Sequence, residues 1–240
     1  IMGADLKDDD EKLIISIRSD GVISSIVAEA HNDGSVRGYI EDTKAYAIDP
    51  KTDALVVGPL LGKGTLNVTR KSGLKVDYDS SVELQSGEIG EDFANYYLLS
   101  EQIPSAVSVG VRMDEDGNVE AAGAIIIEVM PGADDMDIMI IEDVVNHLKP
   151  ISTIIDEGME PEEIALSLFQ DVEILKTQDL MFYCGCNRGQ MRTTLSMLSI
   201  EDLRKLRDED QGCEMVCHYC NQRYRFDEQE LSQIIERKLS

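Results

Sequence analysis

Cys184-Gly185-Cys186 and Cys217-His218-Tyr219-Cys220, thirty residues apart, are the stretches on which the reading of this chain turns, and they hold four of its five cysteines. Thiolates one or two residues apart can point at one ion. Two such pairs supply the four sulfurs of the tetrahedral shell that zinc prefers. Gly185 is expected to let the chain turn tightly between two ligands, because glycine tolerates backbone angles that other residues resist. Cys184, Cys186, Cys217 and Cys220 are therefore the candidate ligands of one zinc ion per chain in the reduced state, with Cys213 left over. Paired clustering with one cysteine to spare does not fit the disulfide framework of a small secreted domain. The plainest alternative is a structural zinc clip in a constitutive scaffold.

Around these pairs the composition changes. Residues 181–240 carry 9 basic and 10 acidic side chains, whereas residues 1–180 carry 13 and 37, and the whole chain of 240 residues has a net charge of −25. So acidic a surface repels phosphate backbones and anionic lipid, which argues against a zinc-ribbon nucleic-acid binder and against a membrane partner. The longest apolar run, Ala121 to Ile127, is far too short to span a bilayer. No basic, apolar and cleavage-site order opens the sequence, so a reducing, cytoplasmic setting is expected. Arg188, Arg192, His218, Arg223 and Arg225 lie within eight residues of a candidate ligand. Positive charge there would either lower thiol pKa values or offset a four-thiolate centre, and both can hold.

The fold class expected is α+β: an antiparallel-sheet-rich core over 1–130, a helical linker over 131–180 and a small four-cysteine zinc domain over 181–240. Leu13-Ile14-Ile15-Ser16-Ile17 reads as a buried strand. Val22 to Ile40 reads as a hairpin turning at Asn32-Asp33-Gly34-Ser35, and Ala106 to Val129 as another turning at Asp114-Glu115-Asp116-Gly117-Asn118. Further short strands are expected at Leu66 to Thr69 and Val82 to Leu84. Gly90 to Gln102 changes period, with Phe93, Tyr96, Tyr97 and Glu101 on one face of a single amphipathic helix. In the linker, broken by Pro150, Gly158 and Pro161, Ile138, Ile141, Val145, Leu148, Ile164 and Leu168 suffice to dock on something but not to build a core. Val172 to Leu175 and Leu180 to Tyr183 read as extended. In the zinc domain two helices are expected to begin at Ser199 and Asp227, each with a cap and an acid three residues later.

Several motifs fail on inspection. Gly58-Pro59-Leu60-Leu61-Gly62-Lys63-Gly64-Thr65 is one residue short of a phosphate loop and has Gly64 where a magnesium-binding hydroxyl belongs. Gly87-Glu88-Ile89-Gly90 outlines an RNA-clamping loop but carries an acid where phosphate would sit. No carboxylate pair stands out as an acid/base couple, and His31 and His147 read as surface or turn residues, so no enzyme is indicated. Met136 and Met139 read as packing residues of a helix.

Taken together, Ser86-Gly87-Glu88-Ile89-Gly90-Glu91-Asp92 continuing to Ser100-Glu101-Gln102-Ile103-Pro104-Ser105, the Cys-x-Cys, and Cys217-His218-Tyr219-Cys220-Asn221 running into Tyr224-Arg225-Phe226 resemble the thirty-three-kilodalton heat-shock protein family of redox-regulated chaperones. The resemblance covers nearly the whole chain. It implies an α/β core, a helical linker and a C-terminal zinc domain. It also implies that under oxidative stress Cys184 pairs with Cys186 and Cys217 with Cys220, that zinc is released, and that an ATP-independent holdase results, a homodimer on activation, whose partners are unfolded or partially folded clients. Family members begin with a strand and a helix ahead of the position of Ile1, so the chain is expected to lack about a quarter of the usual core, and Cys213 lies outside the family's four-ligand pattern. Physical chemistry gives such a switch a basis: a sixty-residue module with few large apolar residues is marginal alone, and structural zinc contributes roughly 10–16 kcal/mol in small metal-folded peptides.

Overall fold

A computed structural model of the chain describes residues 1–51, 55–72 and 77–239. The polypeptide divides into two compact units, Ile1–Met181 and Phe182–Ser240.

The first unit is built on β1 (Glu11–Ser19), whose β-branched run makes it the central strand. Its neighbours are β2 (Ser25–His31) and β4 (Gly64–Ser72), both antiparallel, with Leu13 opposite Ala30 and Arg70, and Ile17 opposite Ile26 and Leu66. With β3 (Ser35–Ile40), β5 (Tyr78–Glu83) and β8 (Met181–Phe182), at which the chain leaves this unit, the sheet order is β5-β4-β1-β2-β3-β8. One face is apolar. Leu13, Ile17, Leu66, Val68 and Val82 bury there beneath Leu61, Tyr96 and Tyr97.

Both expected hairpins form, with the expected turn chemistry. At the first, Gly34 takes φ +82° and Asp33 Oδ1 accepts from Ser35 N at 2.8 Å. At the second, between β6 (Ser105–Met113) and β7 (Val119–Glu128), Asp114 Oδ1 accepts from Asp116 N and Asn118 N at 2.9 and 2.7 Å, and Gly117 has φ +83°. The two rejected loops complete one another. Glu88 Oε1 accepts the N–H groups of Val57 and Gly58 at 2.9 and 2.8 Å, at the start of the short helix α1 (Gly58–Leu61). A carboxylate of the chain thus sits where a phosphate would have been bound.

Gly90 to Gln102 is helical but not as one regular helix. α2 (Ile89–Tyr96) widens into a π turn over Tyr97–Glu101 and stops at Gln102, whose backbone is left-handed at φ +59°. Widening the turn accompanies the burial of two consecutive tyrosines, with ring centroids 5.7 Å apart, while Tyr96 Oη donates to Glu101 Oε1 at 2.5 Å. Glu29 is a buried carboxylate beside His31. The Glu29 side chain is only 3% exposed; Arg37, its cross-strand neighbour, donates to both its oxygens at 2.8 and 2.9 Å, Lys12 donates at 3.3 Å, and His31 Nε2 lies 3.0 Å away. His31 opens the turn, its carbonyl accepting from Gly34 N at 3.2 Å, and its ring also reaches the buried Glu29.

The helical stretch after β7 docks through only some of the residues its sequence suggested: Leu148 and Ile164 are in the buried cluster, and the first helix of the stretch contributes none. α3 (Asp135–His147), capped by Asp134 and Asp137, buries no side chain, and Ile138 and Met139 are exposed on it. α4 (Ile151–Asp156) and α5 (Pro161–Leu168) provide the buried residues Ile151, Ile154 and Ile164, which cluster with Ile125, Leu148, Ile155 and Met159. The reason lies in the hairpin beneath. Gly110 and Gly123 are cross-strand partners. A β-carbon on Gly123 would come within 2.2 Å of Ile155 Cδ1, and one on Gly110 within 3.0 Å of the Ser152 amide nitrogen. Two facing glycines make a flat seat for α4, which a period count on the helix alone does not reveal.

In the second unit three helices, not two, surround a hairpin: α6 (Arg188–Ser196), α7 (Ile200–Asp208), α8 (Glu228–Leu239), β9 (Gly212–Val216) and β10 (Arg223–Asp227). The caps at Ser199 and Asp227 form as expected, with Ser199 Oγ accepting from Asp202 N at 3.0 Å and Asp227 Oδ1 from Glu230 N at 2.9 Å. α6 begins on a reciprocal cap between Asn187 and Gln190, an amide version of the same device that the sequence reading passed over. Leu195, Leu203, Phe226, Leu231, Ile234 and Ile235 form the core of this unit.

Candidate metal centre

Two local structures present the four cysteines. The first precedes α6: Cys184 and Cys186 lie in chain without regular secondary structure just ahead of the Asn187 cap. The second is the turn joining β9 to β10. There Cys217 N donates to Gln222 O at 2.9 Å and Asn221 N to Cys217 O at 2.8 Å, and Asn221 adopts φ +57°. The left-handed residue at the centre is therefore Asn221, not Gly185. Gly185 instead leaves room for the Tyr183 ring, which lies 3.3 Å from where a β-carbon would stand.

Pairing β9 with β10 in the register Val216 to Arg223 and Gly212 to Asp227 fixes the turn against the rest of the unit. All four candidate sulfurs then converge within 4.8 Å of one another. Cys184 Sγ lies 3.6 Å from Cys217 Sγ and Cys186 Sγ 3.3 Å from Cys220 Sγ. Four sulfurs at the usual zinc–sulfur distance stand about 3.8 Å apart along each edge of a tetrahedron. The donor set thus fits a thiolate-bound ion in spacing and in chemistry, and Cys217 is buried while the others are partly covered or exposed.

Proton affinities in the cluster spread widely. Burial raises the Cys184 pKa, but the Cys186 backbone N–H and hydrogen bonds from Cys217, Cys220 and Cys186 outweigh it and bring the thiol down to about 7. At Cys220 the Gln222 backbone favours the thiolate, yet the bond with Cys186, burial and the bonds with Cys184 and Cys217 push it up to about 12. One negative charge is stabilised by its neighbours, and a further one is resisted, because like charges in so small a volume repel. A bound divalent cation removes that repulsion.

Cys213 takes no part in the cluster. It lies in β9 opposite Phe226 and packs on the core of the unit, where burial, with the Glu230 carboxylate adding to it, raises its pKa. Three of the four arginines noted in the sequence are engaged by carboxylates. Arg188 forks onto Glu230 at 2.7 and 2.8 Å and stacks on Phe226 at 4.7 Å, while Arg223 and Arg225 both hold Glu214. Arg192 reaches Gln233 at 2.7 Å. Arg223 and Arg225 tie β10 to β9, and Arg188 and Arg192 tie α6 to α8. Sequence reasoning missed Tyr224 as a site residue. Its hydroxyl lies 3.2 Å from Cys186 Sγ and donates to Cys186 O at 3.1 Å, and the bond with Cys186, followed by burial, pushes its pKa up to about 12. Strand alternation offered a signal, since Tyr224 and Phe226 must share a face and Phe226 is a core residue.

Known proteins resemble this chain in sequence and fold. A 33 kDa chaperonin of Bacillus cereus strain B4264 is 36% identical over 239 residues, 98% of this chain and 82% of the relative, and one of Bacillus anthracis strain CDC 684 matches to the same extent. The crystal structure of a 33 kDa chaperonin (heat shock protein 33 homolog) from Thermotoga maritima superposes with a TM-score of 0.89 at 32% identity, covering 99% of this chain and 81% of the other. The family model described as Hsp33 protein matches residues 1–227. With sequence, fold and cysteine cluster in agreement, the chain belongs to the Hsp33 family.

Proposed function

We propose that this chain is a chaperone that holds unfolded or partially folded proteins without ATP, and that oxidation of Cys184, Cys186, Cys217 and Cys220 turns it on. The observation that carries the reading is the convergence of four sulfurs from two chain segments on one point. Zinc is the ion that best suits four sulfur donors at this spacing. When bound, it cross-links residues 184–186 to the turn at 217–220 and adds to the small core of α6, α7, α8 and the hairpin.

Oxidation closes Cys184 onto Cys186 and Cys217 onto Cys220, because neighbours need less chain ordering to meet than partners thirty residues apart. Each disulfide removes two of the four donors, and the site then no longer holds its ion. The zinc domain, proposed as 181–240, loosens first. The helical linker, proposed as 131–180, follows, since among the described residues of α4 and α5 the buried apolar side chains are Ile151, Ile154 and Ile164. The core, proposed as 1–130, then offers the apolar face beneath α4 to a client. The acidic surface keeps a loaded complex dispersed and disfavours nucleic acid. The activated form is a homodimer, and the protein works in the cytoplasm, where thiols are normally reduced. None of the described helices is long and apolar enough to cross a membrane.

Light scattering of a heat-denatured client tests the reading. Protein treated with peroxide and freed of zinc is expected to suppress aggregation at near-stoichiometric ratio, and the reduced zinc form to leave it unchanged. Equal suppression by both forms would replace the switch with constitutive binding.

A further inference from the structure

The Tyr224 hydroxyl occupies a position that the four cysteines do not account for. It stands 3.2 Å from Cys186 Sγ and 3.1 Å from Cys186 O, so once Cys186 is a thiolate two acceptors of one residue compete for a single proton donor. The ring is anchored from behind: Tyr224 lies opposite Met215 in the hairpin and packs on the core of the second unit. A carbonyl is the better acceptor for a neutral thiol's neighbour, whereas an anionic sulfur outcompetes a carbonyl, since hydrogen bonds to charged groups are about twice as strong. We infer that Tyr224 is a positioning residue of the metal centre, whose hydroxyl donates to the Cys186 thiolate in the loaded, reduced protein and makes that sulfur slower to react with peroxides.

The inference rests on the proposed redox reading and refines it by setting the oxidant threshold at one sulfur. In the reaction concerned, the Cys186 thiolate lone pair opens the O–O bond of hydrogen peroxide, giving a sulfenic acid and, with one proton, water. A neighbouring thiolate displaces hydroxide from that sulfur, so that two thiolates, one peroxide and two protons give one disulfide and two waters. A hydrogen bond to the attacking sulfur withdraws electron density from the lone pair that must move. Once Cys186 is in a disulfide its sulfur carries no charge, and the Tyr224 hydroxyl returns to Cys186 O. The same side chain thus marks both states.

The test compares wild type with Tyr224→Phe, which keeps the ring and deletes the donor, and with site-specific 3-fluorotyrosine at 224, a stronger donor of nearly the same shape. In zinc-loaded full-length protein, thiol loss to hydrogen peroxide is expected to run about three- to tenfold faster in Tyr224→Phe and slower than wild type with fluorotyrosine. After substitution with cobalt(II), the sulfur-to-metal charge-transfer band should move to lower energy in Tyr224→Phe and to higher energy with fluorotyrosine. A packing role alone would not reverse the sign between the two. Wild-type peroxide rates and band positions in both variants would overturn the inference, and if Tyr224→Phe does not fold, the fluorotyrosine arm decides alone. Wild-type protein that keeps its zinc in peroxide would instead overturn the redox reading, so the two failures are distinguishable.

Discussion

At Cys220 a thiol held up at about 12 has to give its proton to make a ligand. Ion binding near neutral pH therefore releases at least that proton, and zinc affinity is expected to rise by at least about tenfold per pH unit between 6 and 8. Competition titration with a chelator at several pH values measures the slope, and a flat profile would contradict the four-thiolate shell. Cys213 gives the matching control. Cys213→Ala should keep one zinc per chain by elemental analysis, whereas Cys184→Ser or Cys217→Ser should lose it. Glu29 makes a separate prediction. Burial alone would raise its pKa, but Arg37 and Lys12 hold it below the ordinary carboxylate value. Its contribution is therefore present above the unfolded pKa of about 4.3 and is lost as pH falls through the lower folded value. Glu29→Gln is expected to cost about 3 kcal/mol at pH 7 and to flatten the acid limb of the stability curve, since the buried charge pairing of Glu29 with Arg37 and Lys12 would be lost. Denaturant melts at pH 7 and pH 3 check both parts.

Among the elements, α4 on its glycine seat is the most exposed to a single change. Gly110→Val places a branched side chain against the Ser152 amide and Ile151 Cγ2, both 3.0 Å from the first added carbon, and backbone cannot step aside as a flexible tip can. The expected cost is about 1–3 kcal/mol, carried by the docking of α4 and α5 rather than by the hairpin. Hydrogen exchange should show faster exchange over residues 151–168 with β6 and β7 still protected. If the linker helices restrain client binding, the reduced variant will also suppress aggregation that wild type ignores. α3 behaves differently, for it has no buried side chain to lose, and substituting Ile138 should leave the melting temperature unchanged.

Across the whole molecule, the metal is expected to stabilise one unit and not the other. A chelator added to reduced protein should melt residues 182–239 while the sheet around β1 keeps its own transition, so that one denaturation profile becomes two. Calorimetry with and without chelator reads this directly. Much of the architecture behind these expectations was legible in the residues: a β-branched run for β1, Asp-Gly turns for two hairpins, Ser199 and Asp227 for two helix starts, and paired cysteines for the cluster. Each is a local signal, decided within a few residues by backbone conformation and alternation. Other features depend on partners distant in sequence. The widened turn after Tyr96 follows from burying two adjacent rings, the docking of α4 from Gly110 meeting Gly123, the buried Glu29 from strand register with Arg37, and the place of Tyr224 from a hairpin folding back on Cys186. By itself, then, the sequence determined the antiparallel α+β fold and a thiolate-rich site, because periodicity and ligand spacing are properties of short stretches. Tertiary structure alone decided which linker helices are held and which hydroxyl meets the sulfur, because contact energies act between surfaces that only folding brings together.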